Sequence, residues 1–250
     1  MDHTIVERLL SLNREFYAAF ARSFAGSRPV SDPGLTCILP HIGCCAKVLD
    51  VGCGNGRLAL LLDQERPDVT YLGVDAVPEF IEIARAKTAR LDAISAEFRV
   101  ADLAQPGWSR ALADGGRRTA VDARFDCVVA LAVLHHIPSF DMRARLMRDL
   151  FGLLETDGCL ILSTWQFLGN ARMRRKIVDW GEAGISEEEL EPGDYLLDWK
   201  RGGRGLRYCH LVDKAEVAGL AAKGGFRLRE TFRAGGREGN LSLFAVLDRV

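Results

Sequence analysis

The 250-residue chain carries 33 Lys and Arg against 34 Asp and Glu, a formal net charge of -1, with 48% hydrophobic and 27% charged residues. That balance excludes a disordered chain and a uniformly basic nucleic-acid coat, and the length fits one domain spanning 1–250. No window approaches the roughly 18 apolar residues that cross a bilayer, and the charged start MDHTIVERLLSLNREF lacks a signal-peptide core, so a cytoplasmic protein is expected.

Residues 4–24 place Ile5, Leu9, Leu12, Phe16, Phe20 and Phe24 at helical spacing and end in the breaker-rich GSRPVSDPG, which reads as a helix and a covering loop over 1–34. KVLDV (47–51) is a short apolar strand. The helix-forming RLALLLDQ, the strand VTYLGVD and the helical PEFIEIARAKTARL follow, with Pro78 suited to a first helical turn. Two strand–helix pairs in succession imply a parallel sheet with right-handed crossovers. The rhythm continues through AEFRVADL, a Gly- and Arg-containing insert over 106–124, the strand FDCVVAL, a helix around 139–154, a turn at 156–158 and the strand CLILST. Residues 166–212 break it with tryptophans, an acidic run over 187–191 and a basic run over 200–207, and read as a substrate-side insertion. A helix over 214–223 and the strands FRLRETF and NLSLFAVL around AGGREG close the chain as an antiparallel pair. The expectation is a Rossmann-like α/β fold of about seven strands, mostly parallel, with helices on both faces.

Seven cysteines, an odd number without CxxC spacing, argue against a disulfide framework and a zinc site, so no metal is expected. Only Cys53 sits where a further role is open, inside the loop Asp50-Val51-Gly52-Cys53-Gly54-Asn55-Gly56 between the first strand and its helix. Glycines there let a ligand approach the backbone. The spacing is GxGxG rather than the GxGxxG of dinucleotide binders, and an acid ahead of the first glycine repels a pyrophosphate but suits a cationic amino group. Asp75 ends the second strand, where an acid accepts from a ribose diol; Asp102 ends the third, where a carboxylate can accept from an adenine amine. Acceptors for ribose, adenine and ammonium in one line describe an adenosyl amino acid.

VLDVGCGNGRLA, YLGVDAVPEFIEIAR, VADL and FDCVVALAVLHHIP resemble the successive motifs of class I S-adenosylmethionine-dependent methyltransferases over about residues 45–165. The resemblance implies a sheet of order 3-2-1-4-5-7-6 with strand seven antiparallel, and S-adenosylmethionine as cofactor. It puts Gly52, Gly54 and Gly56, with Cys53 and Asn55, under the methionine part. Asp75 and Ala76 fall at the ribose, Asp102 and Leu103 at the adenine, and Leu131 at the amino acid end. The flanks FYAAFARSFAGSRP, GDYLLDW and RYCHLVD look similar to methyltransferases that esterify a carboxymethyl group on the wobble uridine of tRNA. That family reads close to RYYHxF where this chain has Tyr208, Cys209, His210 and Leu211. The same resemblance brings Arg28 to the cofactor carboxylate and makes tRNA the partner.

An acceptor carboxylate, with a pKa of about 4, is ionised at neutral pH and needs cations to orient it rather than a base. Arg207 and His210 are candidates. A hydroxyl or amine acceptor needs proton removal, for which His135 and His136 are candidates. The segment from Gly193 to His210 is expected to wall the acceptor site, with Asp194, with Lys200, Arg201, Arg204 and Arg207 for anionic groups, and with Trp199 and Tyr208 for stacking. The basic run Arg172, Arg174, Arg175 and Lys176 is either a solvated helix face or a phosphate contact. A small-molecule methyltransferase, or a cofactor binder that transfers nothing, are the alternatives.

Overall fold

The computed structural model describes residues 1–26, 32–44, 46–112, 124–236 and 238–250. In chain order, α1 (His3–Ala25) and the short α2 (Pro33–Thr36) precede β1 (Lys47–Val51), α3 (Arg57–Glu65), β2 (Thr70–Asp75), α4 (Pro78–Lys87) and β3 (Ser95–Val100). Then come β4 (Phe125–Leu131), α5 (Phe140–Gly152), β5 (Leu154–Trp165), α6 (Ala171–Arg174), β6 (Ile177–Val178), β7 (Asp194–Trp199) and β8 (Gly205–His210). The chain closes with α7 (Lys214–Gly224), β9 (Phe226–Ala234) and β10 (Ser242–Arg249).

Central strands with apolar residues on both faces must be covered on both. On β4, Val128 and Ala130 join one core with Leu146 and Leu150 of α5 and Leu220 of α7, while Cys127 and Val129 join the other with Leu58 and Leu62 of α3 and Ile81 of α4. Each such fully buried leucine contributes about 1.5–3 kcal/mol. The sheet has the order β3-β2-β1-β4-β5-β10-β9, and β10 alone runs against its neighbours. This is the expected α/β topology.

One expectation about elements is corrected. Residues 156–158 are not a turn before a strand; they lie within β5, where the register against β4 jumps from Phe125↔Leu154 to Cys127↔Cys159 and the intervening residues bulge. Gly158 fits the close approach there, because a Cβ would stand a tight 3.1 Å from the Phe125 carbonyl oxygen. The insertion over 166–212 has a sheet of its own: β6, β7 and β8 pair in antiparallel fashion. Of the insert over 106–124, residues 113–123 lie outside the described residues, as does Arg28. Among the described residues no helix is long and apolar enough to cross a membrane.

The small sheet is held between α1 and the end of β5 because its side chains alternate. Leu196 and Tyr208 pack with Ile5 and Leu9 of α1 and with Trp180, whereas Leu197 and Cys209 pack with Trp165, Phe167 and Met173. A buried polar network fastens it to the core. Arg143 of α5, 1% exposed, reaches Glu216 (2.7 Å), Glu191 (3.1 Å) and the Ile137 carbonyl (3.0 Å). His210 lies between Asp194 (2.6 Å) and Glu216 (2.8 Å), and Tyr208 donates its hydroxyl to Asp194 (2.8 Å). Burial opposes protonation of His210, but the hydrogen bonds to the two carboxylates outweigh it and raise its pKa. Arg143→Ala leaves these acids without their cation and is expected to cost about 3 kcal/mol. Denaturant titration checks this, and a loss below about 1 kcal/mol would contradict a supporting role for the network.

Candidate cofactor and acceptor site

A cavity of about 230 Å³ opens where β1, β2, β3 and β4 end. The glycine loop after β1 forms its floor. The N–H groups of Gly52 and Cys53 both donate to the Val74 carbonyl (2.7 and 3.0 Å), which forces Gly52 to φ 73°, and a Cβ there would lie 2.5 Å from Val133 Cγ2. The Gly54 N–H then donates to Asp75 Oδ2 (2.9 Å) while Val77 N–H takes Oδ1 (2.9 Å), so one carboxylate locks the loop to the end of β2. Asn55 ties the loop to the last turn of α1 through the Ala25 carbonyl (3.1 Å).

Of the residues expected at the cofactor, Asp50, Gly52, Cys53, Gly54, Asn55, Asp75, Ala76, Asp102, Leu103 and Leu131 all line the cavity. Gly56 stands behind the wall, where a Cβ would meet Ala84 at 3.1 Å. Cys53 is no nucleophile, because burial and the nearby Asp50 and Asp75 push its thiol well above the ordinary value. Asp102 accepts from Ala104 N–H (3.0 Å) and faces Arg14 of α1 at 3.6 Å. Ala132, also in the wall, holds φ 60°, a conformation uncommon outside glycine.

Asp50 accepts the Tyr71 hydroxyl (2.6 Å), yet burial lifts its pKa to about 7, and burial lifts Asp75 to about 6 against the backbone N–H groups that favour its ionised form. Both values exceed the unfolded value of about 3.9. The native state therefore holds more protons than the unfolded chain between about pH 4 and 7, and these groups make ligand-free stability fall as pH rises through that window. A ligand bearing positive charge favours the ionised acids, so its binding releases protons. The thermal shift it produces is expected to be larger at pH 8 than at pH 5; equal shifts would contradict this reading.

α1 supplies a wall that sequence patterning did not reveal, with Leu10, Asn13, Arg14, Tyr17 and Phe24 on the cavity. Tyr17 hydroxyl meets His136 Nε2 at 2.8 Å, and His136 Nδ1 lies 3.2 Å from the Tyr208 carbonyl. Asn13 bridges the His136 carbonyl (3.3 Å) and Tyr208 N–H (2.9 Å). Of the two histidines only His136 lines the cavity; His135 is fully buried, with Nδ1 accepting from Trp165 N–H (3.3 Å). His135, His136 and Cys209 bring ligand-type atoms within 4.8 Å of one another, and burial pushes the Cys209 thiol up to about 12.

The acceptor-side expectations divide along β8. Arg207 is 2% exposed and boxed by rings, its guanidinium carbon 4.6 Å from the Trp165 centroid, 5.2 Å from Phe16, 5.6 Å from Trp199 and 5.9 Å from Phe24. Among the described residues its Nε and Nη1 have no hydrogen-bond partner. Trp165 and Phe24 line the cavity, so this cation stands just behind the wall. Asp194, Tyr208 and His210 are not at the acceptor side: alternation turns them to the opposite face of the small sheet, into the Arg143 network. Trp199 is a wall of the Arg207 box and not a free stacking platform; it is buried and its indole N–H donates to the Arg201 carbonyl (2.6 Å). Lys200 pairs with Asp198 (3.2 Å), Arg204 with Glu182 and Asp198, and Arg201 is exposed on the connecting turn. None of these three lines the cavity.

A parallel sheet of this order with an antiparallel strand β10, and acids near the end of β1, at the end of β2 and after β3 around one cavity, defines the class I methyltransferase architecture. The chain belongs to the Methyltransferase domain family, whose model matches residues 5–231. A methyltransferase of Encephalitozoon cuniculi is 29% identical over 206 residues, 81% of this chain and 78% of that protein. A Bos taurus protein named as tRNA methyltransferase 9B is 23% identical over 199 residues, 77% of this chain but 38% of that protein. Among solved structures, a SAM-dependent methyltransferase of Methanosarcina mazei shares the fold with a TM-score of 0.65 at 21% identity, over 86% of this chain and 97% of that one. The protein is thus an S-adenosylmethionine-dependent methyltransferase. Acids from the ends of three successive strands, Asp50, Asp75 and Asp102, line one cavity with the glycine loop, a lining that fits an adenosyl group carrying a cationic amino acid.

Proposed function

We propose that the protein methylates a carboxylate, the carboxymethyl group of a modified tRNA wobble uridine, forming a methyl ester. The observation that carries the reading is Arg207, a buried cation with two unsatisfied nitrogens against the cavity wall. The bound cofactor supplies a methyl group already activated on a positive sulfonium. The chain's own part is positioning. Asp50, Asp75 and Asp102 hold the donor, and Arg207, behind Trp165 and Phe24, lends positive potential to the wall that an ionised acid approaches. No base is needed. His136, held between Tyr17 and the Tyr208 carbonyl, then serves geometry rather than proton transfer.

Two features support an RNA carrier. A Xenopus tropicalis relative named as a tRNA (carboxymethyluridine(34)-5-O)-methyltransferase is 25% identical over 62% of this chain and 22% of its own length. The exposed Arg172, Arg174 and Arg175 of the α6 region adjoin Lys176, whose pKa is lowered by burial and by repulsion from Arg207, Arg172 and Arg201, so positive charge accumulates beside the acceptor wall. The test offers methyl-labelled cofactor with bulk tRNA and, separately, with a small-molecule extract. Label in tRNA, falling with added salt, is the expected result. Label confined to the small-molecule fraction would move the acceptor to a free acid, and label in neither would overturn the proposal.

A further inference from the structure

We infer that Cys127 and Cys159 form an oxidisable thiol pair, in which a peroxide joins the two sulfurs as a reversible disulfide between β4 and β5. The inference rests on neither the cofactor nor the acceptor reading. Both cysteines are free thiols in the structure, and they are direct partners in the parallel ladder, Cys127↔Cys159. Neighbouring strands run about 4.8 Å apart, inside the roughly 4.4–6.8 Å between Cα atoms that a disulfide spans. Both side chains leave the sheet on the α3 and α4 face, where they share one core layer. Facing Cβ atoms must close to about 3.8 Å for the bond to form. The pair follows directly on the bulge of β5, where the register against β4 is already broken between Phe125 and Cys127, so the backbone on that side does not hold the strands to an even ladder. Cys127 is near the start of β4 and Leu131, at its end, lines the cavity, which separates this pair from the cofactor site.

The two sulfurs are not equivalent. Interaction between the thiols is the largest influence on each: it lowers the Cys159 pKa and raises that of Cys127, which burial raises further. Arg229 of β9 adds to the lowering at Cys159, and although burial, Asp248 and Asp126 oppose it, the net direction is down. Cys159 is also the nearer to solvent, 7% exposed against 2% for Cys127. Thiolate character and access both select Cys159 as the sulfur that meets the oxidant and Cys127 as the one that resolves it. The Cys159 thiolate attacks one oxygen of hydrogen peroxide; the S–O bond forms as the O–O bond breaks, and hydroxide leaves. Cys127 then loses its proton and attacks that sulfur; the S–S bond forms as the S–O bond breaks, and the oxygen departs as hydroxide, protonated to water. Two electrons pass from the sulfurs to the peroxide. Two thiols and one peroxide give one disulfide and two waters.

The test treats the folded protein with a series of hydrogen peroxide concentrations, alkylates the remaining thiols in denaturant and maps the digested peptides by mass spectrometry. The expected product is a cross-link between the peptides that hold Cys127 and Cys159, lost again on treatment with a dithiol reductant. Cys127→Ser removes the resolving sulfur, so a sulfenic acid should persist at Cys159 and take a dimedone tag, whereas Cys159→Ser should leave Cys127 alkylatable. If either variant does not fold, the wild-type map decides. A pair that stays alkylatable across a series that reaches oxidation of the exposed Cys37 and Cys44 overturns the inference, as does a cross-link from Cys127 or Cys159 to any other cysteine. A dimedone tag on Cys127 in the Cys159→Ser variant would overturn the roles assigned to the two sulfurs.

Discussion

Asp75→Ala is expected to raise the dissociation constant for S-adenosylmethionine about a hundredfold, the largest loss among single changes on the cofactor side. Two effects compound. The carboxylate is the acceptor left for a ribose diol at the end of β2, and it also takes the N–H groups of Gly54 and Val77 at 2.9 Å each. Removing it orphans both N–H groups and unties the glycine loop that forms the floor. Asp75→Asn keeps the shape and one carbonyl oxygen, so its loss should be smaller. Asp102→Ala should cost about tenfold, since only one of its oxygens faces away from the Ala104 N–H. Calorimetry checks the series, and a change below about threefold for Asp75→Ala would remove it from the site.

Arg207→Met is expected to lower kcat/KM for the true acceptor by about a hundredfold or more while cofactor affinity stays near wild type. Thermal stability should hold or rise. A guanidinium 2% exposed with two unpartnered nitrogens carries a desolvation cost that methionine does not, and a flexible thioether packs well among Phe16, Phe24, Trp165 and Trp199. Arg207→Lys should not restore activity, because an ammonium on a flexible stem lacks the planar stack that holds the charge among the four rings. Activity falling while the melt does not is the signature of an acceptor group. Full activity in Arg207→Met, or loss of activity together with collapse of the fold, would contradict that role.

The sheet was legible because its strands are short apolar runs bounded by glycine, and the cofactor acids were legible because Asp50 and Asp75 end such runs and Asp102 follows one directly. The small sheet was not. DYLLDW and GLRYCH alternate as strands do, but Trp199, Asp198 and the charges of the turn masked the pattern, and one face is covered by α1, far away in sequence. The same alternation decides the acceptor residues: a list of side chains from 194 to 210 cannot distinguish Arg207, which faces the rings, from Tyr208 and His210, which face the Arg143 network, until the partner strand is known. Tyr17 and Asn13 escaped for a related reason. In α1 an apolar and aromatic stripe at helical spacing reads as core, and only the tertiary contact with His136 shows that the stripe's edge is a cavity wall.

The central claim is that the transferred methyl ends on a carboxylate oxygen. The most direct measurement is the base lability of the product: acceptor labelled with methyl from S-adenosylmethionine is isolated and held in mild alkali, and volatile label is collected. The account predicts that the label leaves as methanol, because a methyl ester hydrolyses under conditions that spare ethers and methylamines. Label that stays with the acceptor would place the methyl on a hydroxyl or amine and contradict the account, together with the role given to Arg207.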